Sequence, residues 1–348
     1  MNGKKVVVGL SGGVDSSVAE ALLIEQGYEV EGVYLECYNE PGCRTDQDKA
    51  DALKVAIKLG IQFQVLDFRK EYREKVIEYF YREYEVGRTP NPDIMCNREI
   101  KFGIFYDWAL SQGFDFVATG HYCRIVGETL QRARDESKDQ SYFLWQIPQD
   151  HLSHILFPLG EMLKSEVRTK ARELGLHTAS KPDSMGICFI GEVDVSELLK
   201  KKLGEQVGEV IYRGEVVGRH RGIWFYTIGS RGGWNLLPRY QGPDMEPLYV
   251  TAKDKDHNQL FVGKREETMR NQFEINSQII NSQILKFEKK LWVRIRNLGE
   301  LHECSIYQRT NESTVIKTKE PVFGVAEGQS AVLYDSEGRI VGGGTIAN

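Results

Sequence analysis

The chain has 348 residues, of which 41% are hydrophobic and 27% charged, a composition typical of a folded globular protein with two or three domains. Six cysteines are too few for a disulfide-stapled scaffold, and no apolar run approaches the length that a membrane-spanning helix needs. The net charge of −5 argues against a protein that coats nucleic acid through bulk charge, although it leaves room for one basic face. The first residues enter a strand directly, without the long apolar core of a signal peptide. We therefore expect a cytoplasmic protein with no membrane partner.

The N-terminal third of the chain alternates short apolar runs with helical periodicity, which is typical of a parallel α/β sheet. The pattern predicts strands over Lys5–Leu10, Tyr28–Leu35, Ile61–Leu66 and Phe114–Thr119. It predicts helices over Asp15–Gln26 and Asp46–Leu59, each followed by a glycine. We expect a doubly wound, Rossmann-like domain whose ligands bind beyond the carboxyl ends of the strands.

After about residue 205 the sequence becomes rich in short β-strands. Gly208–His220 predicts a hairpin, and Trp224–Ile228 and Pro247–Thr251 predict further strands. Beyond residue 271, five short segments (LWVRIRN, CSIYQ, STVIKT, SAVLY and RIVGGGTI) predict a small closed barrel or sandwich. We therefore predict an α/β domain over residues 1–205, a small β-rich module over 206–268 and a β-barrel over 269–348.

A glycine-rich segment, Gly9–Ser17 (GLSGGVDSS), lies between the first predicted strand and the first predicted helix. A loop at this place points backbone N–H groups and the positive end of a helix at an anion. The segment lacks the GK[ST] ending of a Walker A loop and the third glycine of a dinucleotide fingerprint. The alternative is a tight structural turn capped by Asp15.

Two prolines flank Asn91 in the segment Thr89–Asn97 (TPNPDIMCN), which predicts a stiff, extended loop. Asp93 is placed to cap a following helix that includes Glu99–Leu110. Cys96 would then lie in the first turn, where the helix dipole lowers the pKa of a thiol. A buried structural cysteine is the alternative.

A second cysteine of interest, Cys188, lies in the segment Asp183–Gly191 (DSMGICFIG) among apolar residues, which by itself indicates a core position. The remaining cysteines have no CxxC spacing, so a zinc site is not expected. These are Cys37, Cys43, Cys123 and Cys304.

The string SGGVDSS resembles the signature of the ATP pyrophosphatases, which split ATP into AMP and pyrophosphate while adenylating a carbonyl oxygen. Together with TPNPDIMCN, ATGHY (Ala118–Tyr122), KDQSYFL (Lys138–Leu144) and GICFIGE (Gly186–Glu192), it occurs in the order seen in the tRNA-specific 2-thiouridylases. The similarity continues through YTIG (Tyr226–Gly229) and GQSAVLY (Gly328–Tyr334), and so spans nearly the whole chain.

The resemblance implies an ATP-dependent sulfurtransferase that places sulfur at C2 of the wobble uridine in tRNAs for lysine, glutamate and glutamine. A uridine C2 carbonyl is a poor electrophile, and adenylation of its oxygen makes that oxygen a leaving group. A cysteine persulfide, loaded by a cysteine desulfurase or a sulfur relay protein, then supplies the sulfur. A second thiol frees the terminal sulfur by forming a disulfide.

The resemblance also implies roles for particular residues. Cys188 carries the persulfide, Cys96 is the nucleophile that completes the transfer, and Asp93 handles a proton or steers the flipped base. The implied ATP site, with Asp15 acting through Mg²⁺, comprises Gly9, Leu10, Ser11, Gly12, Gly13, Val14, Asp15, Ser16, Leu35 and Gly120. The implied tRNA contacts are Asn91, Pro92 and Asp93 for the target uridine, and His121, Lys138, Asp139, Gln140, Arg294, Ile295 and Gln329 elsewhere.

Two basic stretches in the β-rich part fit a tRNA-binding role in an acidic protein, although solvated faces are the plainer interpretation of each. The first comprises Arg213, Arg219, Arg221, Arg231 and Arg239, and the second comprises Lys286, Lys289, Lys290, Arg294 and Arg296. One departure from the family lies after Gly229, where many members have glutamine and small residues. Here Ser230 and Trp234 occur, which puts the details of RNA contact by this module in doubt.

Three alternatives stay open at this point. An ATP-pyrophosphatase ligase or amidotransferase for a small molecule would need neither cysteine. An iron–sulfur thiolating enzyme would use Asp93, Cys96 and Cys188 as cluster ligands. A tRNA-binding module with an inactive nucleotide loop would catalyse nothing.

Overall fold

The structure is a computed structural model that describes residues 3–39, 45–183, 186, 188, 194–241, 246–280 (backbone only for 277–280), 290–310 and 312–347. It comprises two compact units. The first, here the α/β unit, contains Met1–Ile77, Pro92–Val193 and Glu337–Ile340. The second, here the β unit, contains Glu78–Asn91, Asp194–Ser336 and Val341–Asn348. None of the helices in the described ranges is long and apolar enough to cross a membrane.

The first 203 residues contain the following strands and helices. The strands are β1 Lys5–Leu10, β2 Glu29–Glu36, β3 Gln62–Asp67, β4 Phe116–Thr119, β5 Cys123–Val126, β6 Thr129–Arg132 and β7 Ile155–Leu156. The α-helices are α1 Val14–Glu25, α2 Thr45–Leu59, α3 Arg69–Tyr72, α4 Glu78–Glu85, α5 Pro92–Met95, α6 Phe105–Ser111, α7 Ser141–Leu144, α8 Lys164–Glu173 and α9 Val195–Leu203. Wider π-helical turns occupy Arg73–Ile77 and Cys96–Ile104, and 3₁₀ turns occupy Gln149–His154 and His177–Ser180.

The α/β unit is built on a parallel sheet with the strand order β3-β2-β1-β4-β7. In the register of this sheet, Gly9 lies beside both Val33 of β2 and Thr119 of β4. The chain runs from β1 outward to β3 and then returns to the other side of β1. This makes the carboxyl ends of β1 and β4 the topological switch point, where ligands bind in doubly wound folds. The predicted Rossmann-like class is confirmed.

Two apolar layers hold helix α1, one against the strands of this sheet and one against other helices. One layer joins β1 residues such as Val6 and Val8 to Leu23 of α1 and Ala52 of α2. The other packs Val14 and Val18 of α1 against residues of α2 and α8. Helix α1 is therefore held on both sides, which fixes the position of the glycine-rich segment at its start.

The β unit begins with a five-stranded sheet in the order β10-β9-β8-β12-β11. Its strands are β8 Gly208–Tyr212, β9 Glu215–His220, β10 Asn235–Leu236, β11 Tyr249–Asp254 and β12 Gln259–Gly263. The predicted hairpin is present as β8 and β9. The prediction of a strand over Trp224–Ile228 is wrong. A 3₁₀ turn occupies Ile223–Phe225 instead, because Gly222 with φ 147° turns the chain and Trp224 packs back over it.

The remaining strands close into a barrel in the order β13-β16-β15-β14-β17-β18. They are β13 Met269–Ile280, β14 Leu291–Arg294, β15 His302–Arg309, β16 Ser313–Phe323, β17 Ser330–Tyr334 and β18 Ile340–Ile346. The predicted barrel is confirmed, with six strands rather than five. The strand missed from the sequence is β13, whose polar residues hide its alternation and which pairs with both β16 and β18 to close the barrel.

Candidate active site

The glycine-rich segment connects β1 to α1 at the switch point. Gly12 adopts φ +69°, and a side chain there would meet the backbone oxygen of Asp48 at 2.2 Å. The hydroxyls of Ser16 and Ser17 donate to the Gly13 carbonyl at 3.3 and 2.7 Å, which closes the first turn. Gly13 is the N-cap and makes no side-chain cap, so the alternative of a turn capped by Asp15 does not hold. The first-turn N–H groups have no intrahelical acceptor and can bind phosphate oxygens.

The two outlying residues of the implied ATP site lie at the carboxyl ends of the strands that flank β1. Leu35 is buried near the end of β2. Gly120 follows β4, and a Cβ at this position would lie 2.6 Å from the backbone nitrogen of Ser16. The backbone at Gly120 therefore packs directly on the start of α1. These contacts suit the binding of a nucleoside triphosphate by backbone groups of the loop.

A cluster of charged side chains lies beside this loop. Lys164 Nζ contacts both oxygens of Asp15 at 2.7 Å, and the Tyr122 hydroxyl donates to Asp15 at 2.8 Å. Lys164 also reaches Asp183 at 2.9 Å, and Lys138 and Arg168 each reach Asp183 at 2.7 Å. Burial raises the pKa of Asp183, but hydrogen bonds from Lys138 and Lys164 outweigh it and lower this pKa to about 2.

These contacts bear on the implied magnesium ion. Asp15 is engaged by an ammonium and a hydroxyl rather than left open for a cation. Within the described residues, no three His, Cys, Asp or Glu side chains converge on a point that could hold a metal ion. The described side chains near the loop therefore form no protein-built metal site, and we assign no step to a metal.

Cys96 and Cys188 lie together although 92 positions separate them, with Sγ atoms 3.6 Å apart. Cys96 begins the π-helix Cys96–Ile104 and is fully buried, whereas Cys188 is half-buried. The backbone at Cys188 is held from two sides. Its N–H donates to Asp93 Oδ1 at 2.9 Å, and its carbonyl accepts from the Tyr72 hydroxyl at 2.6 Å.

The electrostatics of the pair differ from the sequence-based expectation. Burial raises the pKa of Cys96 well above its ordinary range, so the predicted lowering by a helix dipole is wrong. Cys188 has the lowered pKa, about 7, because Cys96 donates a hydrogen bond to its sulfur and the Lys101 ammonium lies beside it. The pair thus consists of a fully buried thiol and a half-buried thiol that ionises more readily.

Lys101 connects the thiol pair to the end of β4. Its Nζ lies 3.4 Å from His121 Nε2, and His121 Nδ1 lies 2.7 Å from the Thr119 hydroxyl. Burial and then the neighbouring Lys101 charge hold the pKa of His121 well below its usual range. His121 is therefore neutral, accepts from the ammonium at Nε2 and donates from Nδ1.

Asp93 does not act as the helix cap predicted from the sequence. It lies within α5, which begins at Pro92, and its carboxylate accepts from Cys188 instead. Burial raises its pKa, although the bond from Cys188 and the charge of Lys101 oppose this. Asn91 and Pro92 immediately precede it and are half-buried.

The residues implied as tRNA contacts in the α/β unit are largely engaged within the protein. Asp139 is fully buried and accepts from the N–H groups of Ala133 and Ser141 at 3.1 and 3.2 Å. Gln140 accepts from the Tyr122 N–H at 2.9 Å, and Lys138 pairs with Asp183. His121 is buried. Contact of these residues with tRNA stays a prediction.

Of the three implied tRNA contacts in the barrel, two are buried and Gln329 is half-buried. Arg294 and Ile295 are each 4% exposed, and Ile295 belongs to the apolar interior of the barrel. Gln329 donates to the carbonyls of Thr89 and Pro90 at 2.9 and 3.1 Å. Contact of these three residues with tRNA stays a prediction.

The basic stretch in the small sheet is more accessible. Arg231 and Arg239 are exposed, and Arg221 and Arg239 lie over the rings of Phe225 and Tyr240 at 4.2 and 4.8 Å. Trp234 packs against Tyr226 in the core of this module, so its bulk is directed inward. Ser230 takes part in the backbone of the same turn. In the second stretch, Lys286 and Lys289 lie outside the described residues.

Several functional residues were missed from the sequence. Lys101 is found only because the π-helix turns it toward Cys96 and Cys188. Lys164, Arg168 and Asp183 are brought to Asp15 by tertiary packing. For Asp183, the sequence signal was its place at the start of the segment that contains Cys188.

Comparisons with known proteins agree along the whole chain. Residues 4–192 match a family described as the tRNA methyl transferase HUP domain. Residues 196–264 match its PRC-barrel domain, and residues 272–346 match an aminomethyltransferase beta-barrel domain. The fold and site thus define an α/β nucleotide-binding enzyme with a thiol pair and two appended β modules.

Two curated relatives are similar over almost their full lengths. The tRNA-specific 2-thiouridylase MnmA 1 of Geobacillus kaustophilus (strain HTA426) is 43% identical over 350 residues, which cover 97% of this chain and 94% of that protein. The tRNA-specific 2-thiouridylase MnmA of Pseudomonas savastanoi pv. phaseolicola (strain 1448A / Race 6) is 43% identical over 356 residues, covering 99% and 94%. The chain belongs to the tRNA-specific 2-thiouridylase family, and is thus a tRNA-uridine sulfurtransferase.

Among solved structures, a 4-thiouridine synthetase–RNA complex with bound ATP is 23% identical, with a TM-score of 0.39. The match covers 57% of this chain and 49% of that one, and is too weak to support a conclusion about function.

Proposed function

We propose that this enzyme adenylates the C2 oxygen of the wobble uridine and replaces that oxygen with sulfur from a persulfide on Cys188. The uridine oxygen attacks the α-phosphorus of ATP, and pyrophosphate leaves. The terminal persulfide sulfur bonds to C2, and AMP departs with the oxygen. Cys96 then attacks Sγ of Cys188, so that the bond from Cys188 to the transferred sulfur breaks and a disulfide forms. An external thiol reductant restores both cysteines.

The observation that carries this proposal is the 3.6 Å separation of the two sulfur atoms. Two cysteines that exchange a sulfur must come within bonding reach, and a hydrogen-bond contact needs only a small approach to become a disulfide. The difference between the two also fits their roles. The more accessible Cys188 thiolate accepts sulfur from an outside donor, and the buried Cys96 thiol acts afterwards.

The glycine-rich segment supports the ATP half of the proposal. Its first-turn N–H groups and the serine hydroxyls offer donors to phosphate oxygens, and the close packing at Gly120 keeps those donors in place. ATP supplies the AMP group that makes the uridine oxygen a leaving group. Lys164 and Lys138, beside Asp15 and Asp183, supply positive charge next to the loop.

Lys101 and Asp93 serve the sulfur half of the proposal. The Lys101 ammonium stabilises negative charge on Cys188 and on the persulfide that it carries. Asp93 fixes the backbone at Cys188 through the N–H of that residue. Burial raises the pKa of Asp93, which favours a role for this carboxyl in proton transfer.

The partners follow from the family. We infer that the substrates are the tRNAs for lysine, glutamate and glutamine, and that the sulfur comes from a persulfide on a cysteine desulfurase or relay protein. Residues 1–205 carry the chemistry, while the modules at 206–268 and 269–348 hold the tRNA. The exposed arginines of the small sheet support this division, because phosphate contacts dominate tRNA affinity.

The test is a single-turnover thiolation assay. The protein is incubated with ATP, a persulfide donor and unmodified tRNA, and the wobble nucleoside is analysed by mass spectrometry. Cys96→Ser and Cys188→Ser should each abolish 2-thiouridine while ATP affinity stays within twofold of the wild type. Ser153→Ala, an exposed hydroxyl on the 3₁₀ turn Gln149–His154, is the control and should retain activity.

Two results would overturn the proposal. Thiolation that survives both cysteine substitutions would show that neither cysteine carries the transferred sulfur. Activity that requires bound iron and its visible absorption would establish a cluster mechanism. An active, colourless protein agrees with the persulfide route.

A further inference from the structure

A lysine far along the chain contacts the backbone of the glycine-rich segment. The Lys181 ammonium donates to the Gly12 carbonyl at 2.8 Å. It also donates to Asp48 Oδ1 at 2.8 Å and to Asp51 Oδ2 at 2.7 Å, and both carboxylates belong to helix α2. These three acceptors use all three N–H bonds of the ammonium, so its orientation is fixed. The Lys181 side chain is only 14% exposed, and all four residues lie in the α/β unit.

The ion pair with Asp51 keeps the ammonium in this place. Asp51 is buried, and a buried carboxylate needs a cation or hydrogen bonds to stay ionised. Burial raises the pKa of Asp51, but hydrogen bonds from Lys181 and Gln47 outweigh it and lower this pKa. Lys54 also pairs with Asp51, at 3.6 Å, but its side chain is 60% exposed and the pair contributes little. The pair with Lys181 is therefore the stronger of the two.

The backbone around Lys181 is held as well as its side chain. Arg168 of α8 donates to the carbonyls of Ala179 and Lys181 at 2.9 and 3.0 Å. The Thr178 hydroxyl donates to the hydroxyl of Ser17 on α1 at 3.3 Å. The stretch that carries Lys181 is thus fixed against α1 and α8, so the ammonium reaches the glycine-rich segment from a rigid base.

The contact with Gly12 determines where the next backbone N–H points. Gly12 and Gly13 are joined by a trans peptide bond, in which the carbonyl and the N–H point in opposite directions. Because the carbonyl points to Lys181, the Gly13 N–H points away from it. This N–H donates to the exposed Ser11 hydroxyl at 3.4 Å, longer than the usual range of about 2.7–3.2 Å. It is therefore available to a stronger acceptor, such as an anionic phosphate oxygen.

We propose that Lys181 is a positioning residue for the ATP site, whose ammonium binds the Gly12 carbonyl so that the Gly13 N–H faces a phosphate oxygen of ATP. This inference rests on the proposed function, because it takes the glycine-rich segment to bind the phosphates. Without the ammonium, the peptide between two glycines can rotate, and a carbonyl oxygen that faces the phosphates repels them. Asp48 and Asp51 also lose the cation that they share. Both effects act on the phosphates rather than on the adenosine part of ATP.

The experiment compares a ligand that has phosphates with one that has none. Lys181→Met keeps a long apolar side chain and removes the charge. We expect its affinity for ATP, measured by calorimetry, to fall at least about tenfold. Its affinity for adenosine, measured by NMR titration, should stay within twofold of the wild type. In the wild type, the Gly13 amide resonance should shift when ATP binds, a readout that needs no variant.

Lys54→Met is the matched control, because Lys54 pairs with the same carboxylate as Lys181 and this ion pair does not involve the glycine-rich segment. It should leave the affinity for ATP within twofold. Normal ATP affinity in Lys181→Met would overturn the inference, and so would equal losses for ATP and adenosine, which indicate general damage to the fold.

The wild-type spectrum gives an independent decision. A Gly13 amide that does not respond to ATP, while the amides of Ser16 and Ser17 do, would also overturn the inference and leave the proposed function intact. A wild-type protein that binds no ATP would overturn the proposed function, and the inference with it.

Discussion

At the residue scale, the Cys188 sulfur is surrounded by groups whose charges oppose one another. The hydrogen bond from Cys96 and the charge of Lys101 favour the thiolate of Cys188. Asp93 opposes ionisation, and Cys37 and Tyr72 also interact electrostatically with Cys188. Lys101 is the one positively charged side chain among these groups. The thiolate therefore depends on the Lys101 ammonium more than on the position of either cysteine in a helix.

Replacing Lys101 with Met should raise the pKa of Cys188 from about 7 toward the ordinary value of 9.0, while the hydrogen bond from Cys96 still lowers it. Alkylation of Cys188, followed by mass spectrometry of its peptide, should then slow at least about tenfold at pH 7, since the thiolate is the reactive form. At high pH the two rates should converge.

Lys75→Met is the matched control. Lys75 forms an ion pair with Glu99, which lies on the same π-helix as Lys101, and this ion pair involves neither thiol. Lys75→Met should leave the pH profile of Cys188 unchanged, and Lys101→Arg should largely preserve it. An identical profile for Lys101→Met and the wild type would contradict the assignment of Lys101.

Glu20 is a second residue whose surroundings lead to a measurable prediction. It lies on α1, is fully buried, and neither carboxylate oxygen has a hydrogen-bond partner. Gly32 on β2 provides the space for it. Burial raises the pKa of Glu20 from 4.5 to about 8. The unfolded chain ionises above pH 4.5 while the folded protein keeps the proton, so stability falls as pH rises from about 4.5 to 8.

Glu20→Met should therefore stabilise the protein at pH 7.5. The gain over the wild type should grow by roughly 3 kcal/mol between pH 5 and pH 7.5. Urea unfolding at the two pH values measures this difference. Glu173→Met, at an exposed position of α8, should show no such growth. A constant difference between Glu20→Met and the wild type would show that Glu20 is not protonated in the folded state.

At the element scale, the loop from β1 to α1 and the end of β4 are locked together by backbone packing. Gly120→Ala introduces a Cβ at 2.6 Å from the Ser16 nitrogen, so the start of α1 must shift. We expect ATP affinity, measured by calorimetry, to fall at least about tenfold, because the phosphate-binding N–H groups move with the helix.

A control distinguishes lost binding from lost stability. Gly113 has φ +82° and open space around its Cβ position, so Gly113→Ala strains the backbone away from the loop. Its melting temperature should fall while its ATP affinity is kept. Normal ATP affinity in Gly120→Ala would mean that the loop does not bind phosphate through the first turn of α1.

The sequence predicted secondary structure best where a single hydrophobic periodicity dominates. The predicted strand Lys5–Leu10 matches β1, and the other predicted α/β strands lie within a few residues of β2, β3 and β4. It was least informative around Cys96, where a regular helix was predicted and a π-helix occurs. Gly103 makes the wider turn feasible, since a Cβ there would lie 2.7 Å from the carbonyl of Arg98, five residues earlier. Local propensity does not encode that geometry.

The candidate site was predictable in its motifs but not in its electrostatics. The ordered motifs brought Cys96, Cys188 and Asp93 into one hypothesis, and their contacts are consistent with it. The lowered pKa predicted for Cys96 is wrong, because burial outweighs a helix dipole when the thiol is fully enclosed. Lys181 shows the same limit, since only the tertiary fold reveals that its ammonium reaches the Gly12 carbonyl.

At the scale of the whole molecule, an acidic protein must bind an acidic RNA through local basic surfaces. Replacing the exposed Arg231 and Arg239 with Ala should weaken tRNA binding. The slope of log Kd against log salt concentration should decrease by about one for each arginine that contacts a phosphate. The saturating thiolation rate should change little.

Lys4→Ala with Lys5→Ala is the control with the same change in net charge. Both lysines are exposed at the start of β1, at the end of the sheet opposite the ligand-binding edge. Their removal should leave the salt slope as it is. If both double variants change it equally, net charge rather than the small-sheet arginines governs binding.

The short distance between the two sulfur atoms has a consequence for how much reductant the cell must supply. If each product leaves Cys96 and Cys188 joined, every modified tRNA consumes two electrons from outside the protein. The supply of low-molecular-weight thiols or dithiol carriers then sets an upper limit on turnover. The extent of wobble modification would accordingly follow the reducing capacity of the surroundings, even when ATP and sulfur are plentiful.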